Sequence, residues 1–234
     1  MVDKLKAVLA TAIGISTLAS AGVQAYEAGD MIVRAGLTYV SPDDESAATA
    51  APAPLAALAG ADIVDVEEGI SLGFSGTYMV NKQFGVELLL ALPFVHDIQG
   101  YGPLNGLTVG EAQQLPPTLS AQVYPDIGVA KVQPYFGIGV NYTTFFSEEL
   151  DGGFKKVLSD SYGLTATGLE IDDSLSYAFQ AGLDVEVAKN CYVNLAYWYI
   201  DIESEATVKT DGGDINIDVA IDPHVFMVGA AYKF

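Results

Sequence analysis

The chain has 234 residues, with 10 Lys and Arg against 30 Asp and Glu, a formal charge of −20. Half of the residues are hydrophobic, only 17% are charged, and mean hydropathy is +0.31; that excludes a disordered chain and, with no basic face, a nucleic-acid binder. Past residue 30 no stretch reaches the ~18 uncharged apolar residues of a spanning helix, which excludes a helical membrane protein for the mature chain.

The first element is an export signal. Lys4 and Lys6 precede an Ala-rich apolar core, Ala7 to Leu18, and Val23-Gln24-Ala25 closes on a small residue. This three-part pattern predicts a secretory signal over residues 1–25, cleaved after Ala25, with residues 26–234 as the mature domain. Cys191 is the only cysteine, so no intramolecular disulfide is expected after export. One Cys and two distant histidines, His96 and His224, make no metal site, and no cofactor motif is present.

Eight segments then alternate with period two, the signature of strands with two different faces. They run from Met31, Ile70, Phe84, Leu115, Val132, Leu175, Cys191 and Phe226. One face is apolar throughout: Ile70, Leu72, Phe74, Tyr78 and Val80 in the second, Phe84, Val86, Leu88, Leu90, Leu92 and Phe94 in the third. The other is mostly Gly, Ser, Thr, Gln and Asn. A soluble sandwich would carry abundant charge on its exposed face. Small polar residues instead suit the interior of a narrow barrel whose apolar face meets lipid. Each segment has about the ~9–11 residues of a tilted membrane-crossing strand. Tyr39, Phe84, Phe94, Tyr142, Tyr197, Tyr232 and Phe234 lie near segment ends, where interfacial girdles belong.

The connections alternate. Residues 81–83, 125–130 and 188–190 are short; residues 40–69, 95–114 and 147–174 are long. Tight periplasmic turns and long outer loops give this pattern, and an even strand count leaves no open edge. The expected fold is an all-β, eight-stranded antiparallel up-and-down transmembrane barrel. Residues 41–65, rich in Ala and Pro, read as a surface loop with room for a short helix. Between Ile215 and Ile221 the apolar residues are odd-numbered, yet from Phe226 they are even. With Pro223 between them, either a bulge or local opening of the wall lies near Asp222-Pro223, or Ile215 to Ile221 lies above the membrane.

The combination of Ala28-Gly29-Asp30 with Val33-Arg34-Ala35-Gly36, Gly85-Val86-Glu87-Leu88-Leu89, Pro93-Phe94-Val95-His96-Asp97-Ile98, LPPTL at 115–119, QPYFGIGVNYTTFF at 133–146, WYIDIE at 198–203 and the closing Gly229 to Phe234 resembles the outer membrane protein W (OmpW) family over the whole mature chain. The resemblance implies a barrel in the outer membrane of a Gram-negative bacterium, among lipid and lipopolysaccharide, associated with passage of small hydrophobic molecules. It implies a narrow lumen with an apolar constriction at the positions of Leu89 and Trp198, and in some models a sideways exit through the wall. The final strand, ending in Phe234, resembles the signal read by the outer-membrane barrel assembly machinery, although Met227 stands where a polar residue is usual. The Ala/Pro-rich first outer loop is the largest departure from the family pattern.

Alternation also places Leu89 and Trp198 on the lumen face. Eight strands leave room for side chains or one small ligand, which excludes a wide hydrated porin. Leu89, Ala91, Trp198 and Ile200 are expected to line an apolar pocket open to the outer loops. Arg34, Glu87, Gln122, Asp184 and Glu186 are expected to form a polar network in the periplasmic half, with Arg34 meeting Glu87 or Asp184, because lumen charges are costly unless paired. His96-Asp97 with a loop serine is the one candidate catalytic constellation, adjacent in sequence rather than arranged as a triad, so the chain reads as non-enzymatic. The leading expectation is a conduit or receptor for small hydrophobic molecules. The alternative is a structural or adhesive surface barrel of the phage- or colicin-receptor type without transport.

Overall fold

The computed structural model describes residues 25–129 and 131–234; the export signal read in residues 1–25 lies outside the described residues except for Ala25. The chain forms strands β1 (Met31–Ser41), β2 (Glu45–Ala50), β3 (Val64–Val66), β4 (Gly69–Met79), β5 (Phe84–Ala91), β6 (Phe94–Gly100), β7 (Thr108–Leu115), β8 (Thr118–Val123) and β9 (Val132–Leu150). After helix α1 (Gly152–Tyr162) come β10 (Ala166–Ile171), β11 (Ser174–Ala188), β12 (Cys191–Ile200), β13 (Glu203–Thr210), β14 (Ile215–Ala220) and β15 (His224–Lys233).

Eight of these, β1, β4, β5, β8, β9, β11, β12 and β15, pair antiparallel in that order. The last returns to the first, with Lys233 opposite Ile32 and His224 opposite Ser41. The sheet therefore closes into a barrel with no open edge strand. At this closing seam Gly36 pairs with Gly229, and a Cβ on Gly229 would sit 2.1 Å from the Ala35 carbonyl oxygen. Glycine at both positions lets the two backbones approach this closely.

The alternation is inside-out relative to a soluble protein. Ile70 and Leu175 are each 74% exposed, whereas Arg34, Glu87 and Trp198 are wholly buried. The short connections lie at the end where β1 begins and β15 finishes. Asn81 makes one of them by accepting bonds from the backbone N–H groups of Gln83 and Phe84.

The long connections are not the surface loops expected from sequence. They continue the wall outward as a two-sheet head. One sheet, β3-β6-β7 with the outer half of β9, is continuous with the barrel; the other, β10-β13-β14-β2, stands apart. Ile217, Val219 and Ile221 point inward from the second sheet, so the odd-numbered run lies above the membrane. The wall does not open at Pro223. Ile200 N–H donates to the Pro223 carbonyl, Ile221 N–H to the Ile202 carbonyl, and Asp43 N–H to the Ile221 carbonyl. The phase changes there through a kink, with Asp222 at φ 39. A 3-10 turn, Ala53–Leu58, and α1 cap the head with Leu55, Leu58, Phe154 and Leu158 turned inward. Asp151 caps α1 by accepting from Gly153 and Phe154 N–H, and Gly163 ends it at φ 67.

Phe94 departs from the girdle expected for it: it is 2% exposed and faces inward. Pairing passes from Leu89 opposite Thr118 to Phe94 opposite Gln114. The first strand thus spends five residues where its partner spends four, and this extra residue reverses the phase after Pro93.

The lipid face yields a direct check. Leu88 is exposed midway along β5, so Leu88→Arg is expected to destabilise the barrel by about 2–4 kcal/mol. Reversible urea unfolding in lipid vesicles measures the loss; a change below the low end would mean that this face does not meet the acyl chains.

Candidate functional site

The lumen is built around Arg34 of β1. Its Nη2 donates to Asp184 Oδ2 at 2.6 Å and its Nε lies 3.3 Å from Oδ1, a fork on one carboxylate. Its Nη1 donates to Thr77 Oγ1 at 2.7 Å and to Glu87 Oε2 at 3.2 Å. The Tyr135 ring packs under the guanidinium, 4.6 Å from Cζ. Gly182 faces Tyr135 across the ladder and a Cβ there would lie 2.1 Å from the ring, so the glycine makes the space.

Neutral donors complete both carboxylates. Asp184 also accepts from Tyr26 OH at 2.7 Å and Asn194 Nδ2 at 2.8 Å. Glu87 accepts from Ser75 Oγ at 2.9 Å and Gln180 Nε2 at 2.7 Å. Gln122 joins through Gln180 and Tyr124. Two buried anions against one cation are tolerable only with such a complete set of bonds. The result is a solid polar plug in the periplasmic half.

Above the plug the character reverses. Trp198, Ile200 and Leu89 are buried, and Ala91 is half-buried. Leu89, Ala91 and Ile200 line a small lower chamber of about 20 Å³, together with Thr38, Phe94 and Gln114. Trp198 lies two positions nearer the plug on the same face as Ile200. A middle chamber of about 50 Å³ lies between the two head sheets, among Val64, Ile98, Phe145, Leu169 and Val219. A top chamber of about 130 Å³ sits under the α1 cap. Gln114 lines both the lower and middle chambers, and Val109 and Ile217 both the middle and top ones. The three stack above the plug as an apolar column of adjacent chambers that share lining residues.

The column wall is weak at one level. The β5–β8 ladder ends at Leu89–Thr118, and the β6–β7 ladder begins at Phe94–Gln114. Between them lie Pro93, Pro116 and Pro117, which have no N–H to donate. Pro116 and Ala91 line the lower chamber at this gap.

With this geometry in hand, the OmpW family model matches residues 27–234. Outer membrane protein W of Salmonella typhi is 37% identical over 231 residues, covering 98% of this chain and 100% of the relative. The crystal structure of OprG from Pseudomonas aeruginosa superimposes with a TM-score of 0.78 at 35% identity, over 91% of this chain and 99% of that one. The chain belongs to the OmpW family. It is an outer-membrane β-barrel of a Gram-negative bacterium, like the relatives it matches. A more distant relative, 24% identical over 170 residues and covering 73% of this chain and 74% of its own, is the dibenzothiophene metabolism operon protein PahQ of Pseudomonas aeruginosa.

Of the residues singled out from sequence, this OmpW-family structure brings together Arg34, Glu87, Gln122 and Asp184, and Arg34 meets both carboxylates rather than one. Glu186 stays out: it is part-exposed, two residues nearer the periplasmic turn than Asp184, where the strand has passed the plug and reaches solvent. His96 and Asp97 face opposite sides of β6, His96 inward and Asp97 outward. Tyr26 was missed. It lies ahead of β1, outside any alternating segment, yet it is 1% exposed. It packs against Tyr124 and Tyr192 at centroid distances of 5.4 and 5.5 Å, and Lys233 Nζ sits 6.0 Å over its ring. The adjacent small residue Ala25, read as a cleavage signal, gave no hint of this packing role.

Two outcomes follow from these contacts. Arg34→Met leaves Asp184 and Glu87 buried without their cation and is expected to cost about 3–5 kcal/mol, read by urea unfolding in vesicles; a loss near zero would show that the plug contributes nothing to the fold. His96, in the extracellular head, has its pKa lowered from the ordinary 6.5 chiefly by burial, against the raising effects of the Glu67 carbonyl and Asp97. The unfolded head then binds the proton more readily than the folded one, so head stability holds above pH 6.5 and falls as pH drops through that value toward the folded pKa. The imidazole shift by NMR is expected to titrate below 6.5, and His96→Gln to flatten the acid-side loss of amide protection in β6.

Proposed function

We propose that this OmpW-family barrel is a narrow, non-enzymatic conduit for small hydrophobic molecules. In this reading they enter from outside through the head, move down the apolar column, and leave sideways into the membrane at the proline gap. The observation that carries the reading is a stack of apolar chambers above a polar floor, beside a gap in the wall's ladder. Passage straight down would mean separating the Arg34 ion pairs, which costs about 3–5 kcal/mol for each broken pair and offers an apolar molecule nothing in return. Passage sideways meets no ion pair: the gap is bordered by Leu89, Phe94, the small Ala91 and Pro116. The name of the PahQ relative, tied to metabolism of an apolar aromatic compound, agrees with such a cargo.

Two partner assignments accompany the proposal. The outer face of the head has an open concavity ringed by Glu45, Asp172, Asp173, Glu203 and Glu205, and contact there with anionic lipopolysaccharide would run through divalent cations. The strand ending in Phe234 is the segment offered to the barrel assembly machinery.

Uptake of an apolar fluorescent probe by cells lacking the protein, then complemented, tests the conduit. Ala91→Arg places a charge at the gap and is expected to lower uptake to the level of the deletion while leaving the folded band on unheated gels intact. Uptake equal to wild type would remove the conduit reading.

A further inference from the structure

The column is so uniformly apolar that its few polar atoms carry information. Two buried polar side chains stand at the waist between the lower and middle chambers, His96 of β6 and Gln114 of β7, 5% and 4% exposed. His96 Nδ1 is 2.8 Å from the Glu67 carbonyl oxygen. A carbonyl can only accept, so the neutral ring carries its proton on Nδ1 and offers Nε2 as an acceptor. Gln114 Nε2 donates to it at 3.0 Å. That bond uses one hydrogen of the amide, while the amide group borders both chambers.

Lower down, Thr38 lines the lower chamber at 3% exposure, and its hydroxyl has no hydrogen-bond partner among the described residues. Gly73 on the neighbouring strand makes the room this hydroxyl occupies: a Cβ there would lie 2.3 Å from Oγ1. The Trp198 indole N–H just below is likewise buried and unpartnered. Leaving such groups unpaired is costly, and each one in a folded protein calls for an explanation. A plain hydrocarbon in the column would leave them unsatisfied. An oxygen on the cargo would satisfy them in turn as it descends.

We propose that the column selects, among apolar molecules, those that carry one hydrogen-bonding oxygen, such as medium-chain alcohols, ketones or esters, received first at Gln114 and then at Thr38 and Trp198. This specificity rests on the conduit reading above and names its substrate class. His96 is a positioning residue in this scheme, holding the Gln114 amide in one orientation.

The chain contains a single tryptophan, so Trp198 fluorescence reports occupancy of the lumen floor. The full mature chain in lipid nanodiscs is titrated with 1-bromo-2-octanol and, separately, 1-bromooctane; bromine quenches the indole on contact, and concentrations are referred to the bilayer phase. The expected result is half-quenching by the alcohol at about tenfold lower concentration than by the bromoalkane, the scale of one satisfied hydrogen bond. Gln114→Leu and Thr38→Val are each expected to shrink that preference. Equal midpoints in the wild type overturn the selectivity and leave the conduit standing; absence of quenching by either compound overturns the conduit itself. The wild-type comparison decides even where one variant fails to give the folded band.

Discussion

The molecule depends on one buried guanidinium. Arg34 gathers Asp184 from β11, Glu87 from β5 and Thr77 from β4 onto β1, so four of the eight strands are tied across the lumen as well as around it. Such a cluster is weak evidence for stability by comparison with an apolar core. Its consequence is geometric: an eight-stranded barrel has little interior to spare, and a hydrogen-bonded cluster there closes it. Once the floor is shut, the only remaining routes for a molecule in the column are back out through the head or through the wall.

The wall has its gap through a backbone rule, not through a special side chain. Proline cannot donate to a ladder, and three prolines face one another where β5 gives way to β6 and β7 to β8. The same level holds the one-residue slip that turns Phe94 and His96 inward. The gap and the polar waist of the column are therefore one feature: without the slip, Phe94 would face lipid and His96 could not reach Gln114. A single inserted residue sets both the weak point of the wall and the chemistry beside it.

The barrel was legible in the sequence because its signal is local. Each of the eight strands carries its own alternation, and lipid imposes it without reference to any partner. Arg34, Glu87 and Asp184 were legible for the same reason, being the charges on the inward face. The head was not legible. Glu45–Ala50 is ESAATA, with little intrinsic strand preference, and it forms β2 only because β14 is there to pair with it. The slip at Pro93 was hidden by Phe94, whose apolar side chain continues the outward pattern of Phe84 to Leu92 while its backbone has already changed phase. By contrast Pro223, where the alternation visibly breaks, sits in a wall that stays bonded on both sides. A broken pattern marked a kink, and an unbroken one concealed a gap. Tyr135 was readable in principle, since a large inward residue opposite Gly182 is a size complement that the strand pairing reveals.

Plug and column need each other. Hydrogen bonds to ions strengthen when water is excluded, and the apolar chambers above Arg34 provide that exclusion from the outer side, as Tyr26, Tyr124 and Tyr192 do from the periplasmic side. In return the plug closes the apolar chambers off from any continuous polar path from below. Tyr26 closes the lower side of the network from a segment outside the barrel strands, with Lys233 of the last strand above its ring. Tyr26, ahead of β1, and Lys233 of β15 thus meet at the floor, at the same end of the seam where β15 pairs with β1.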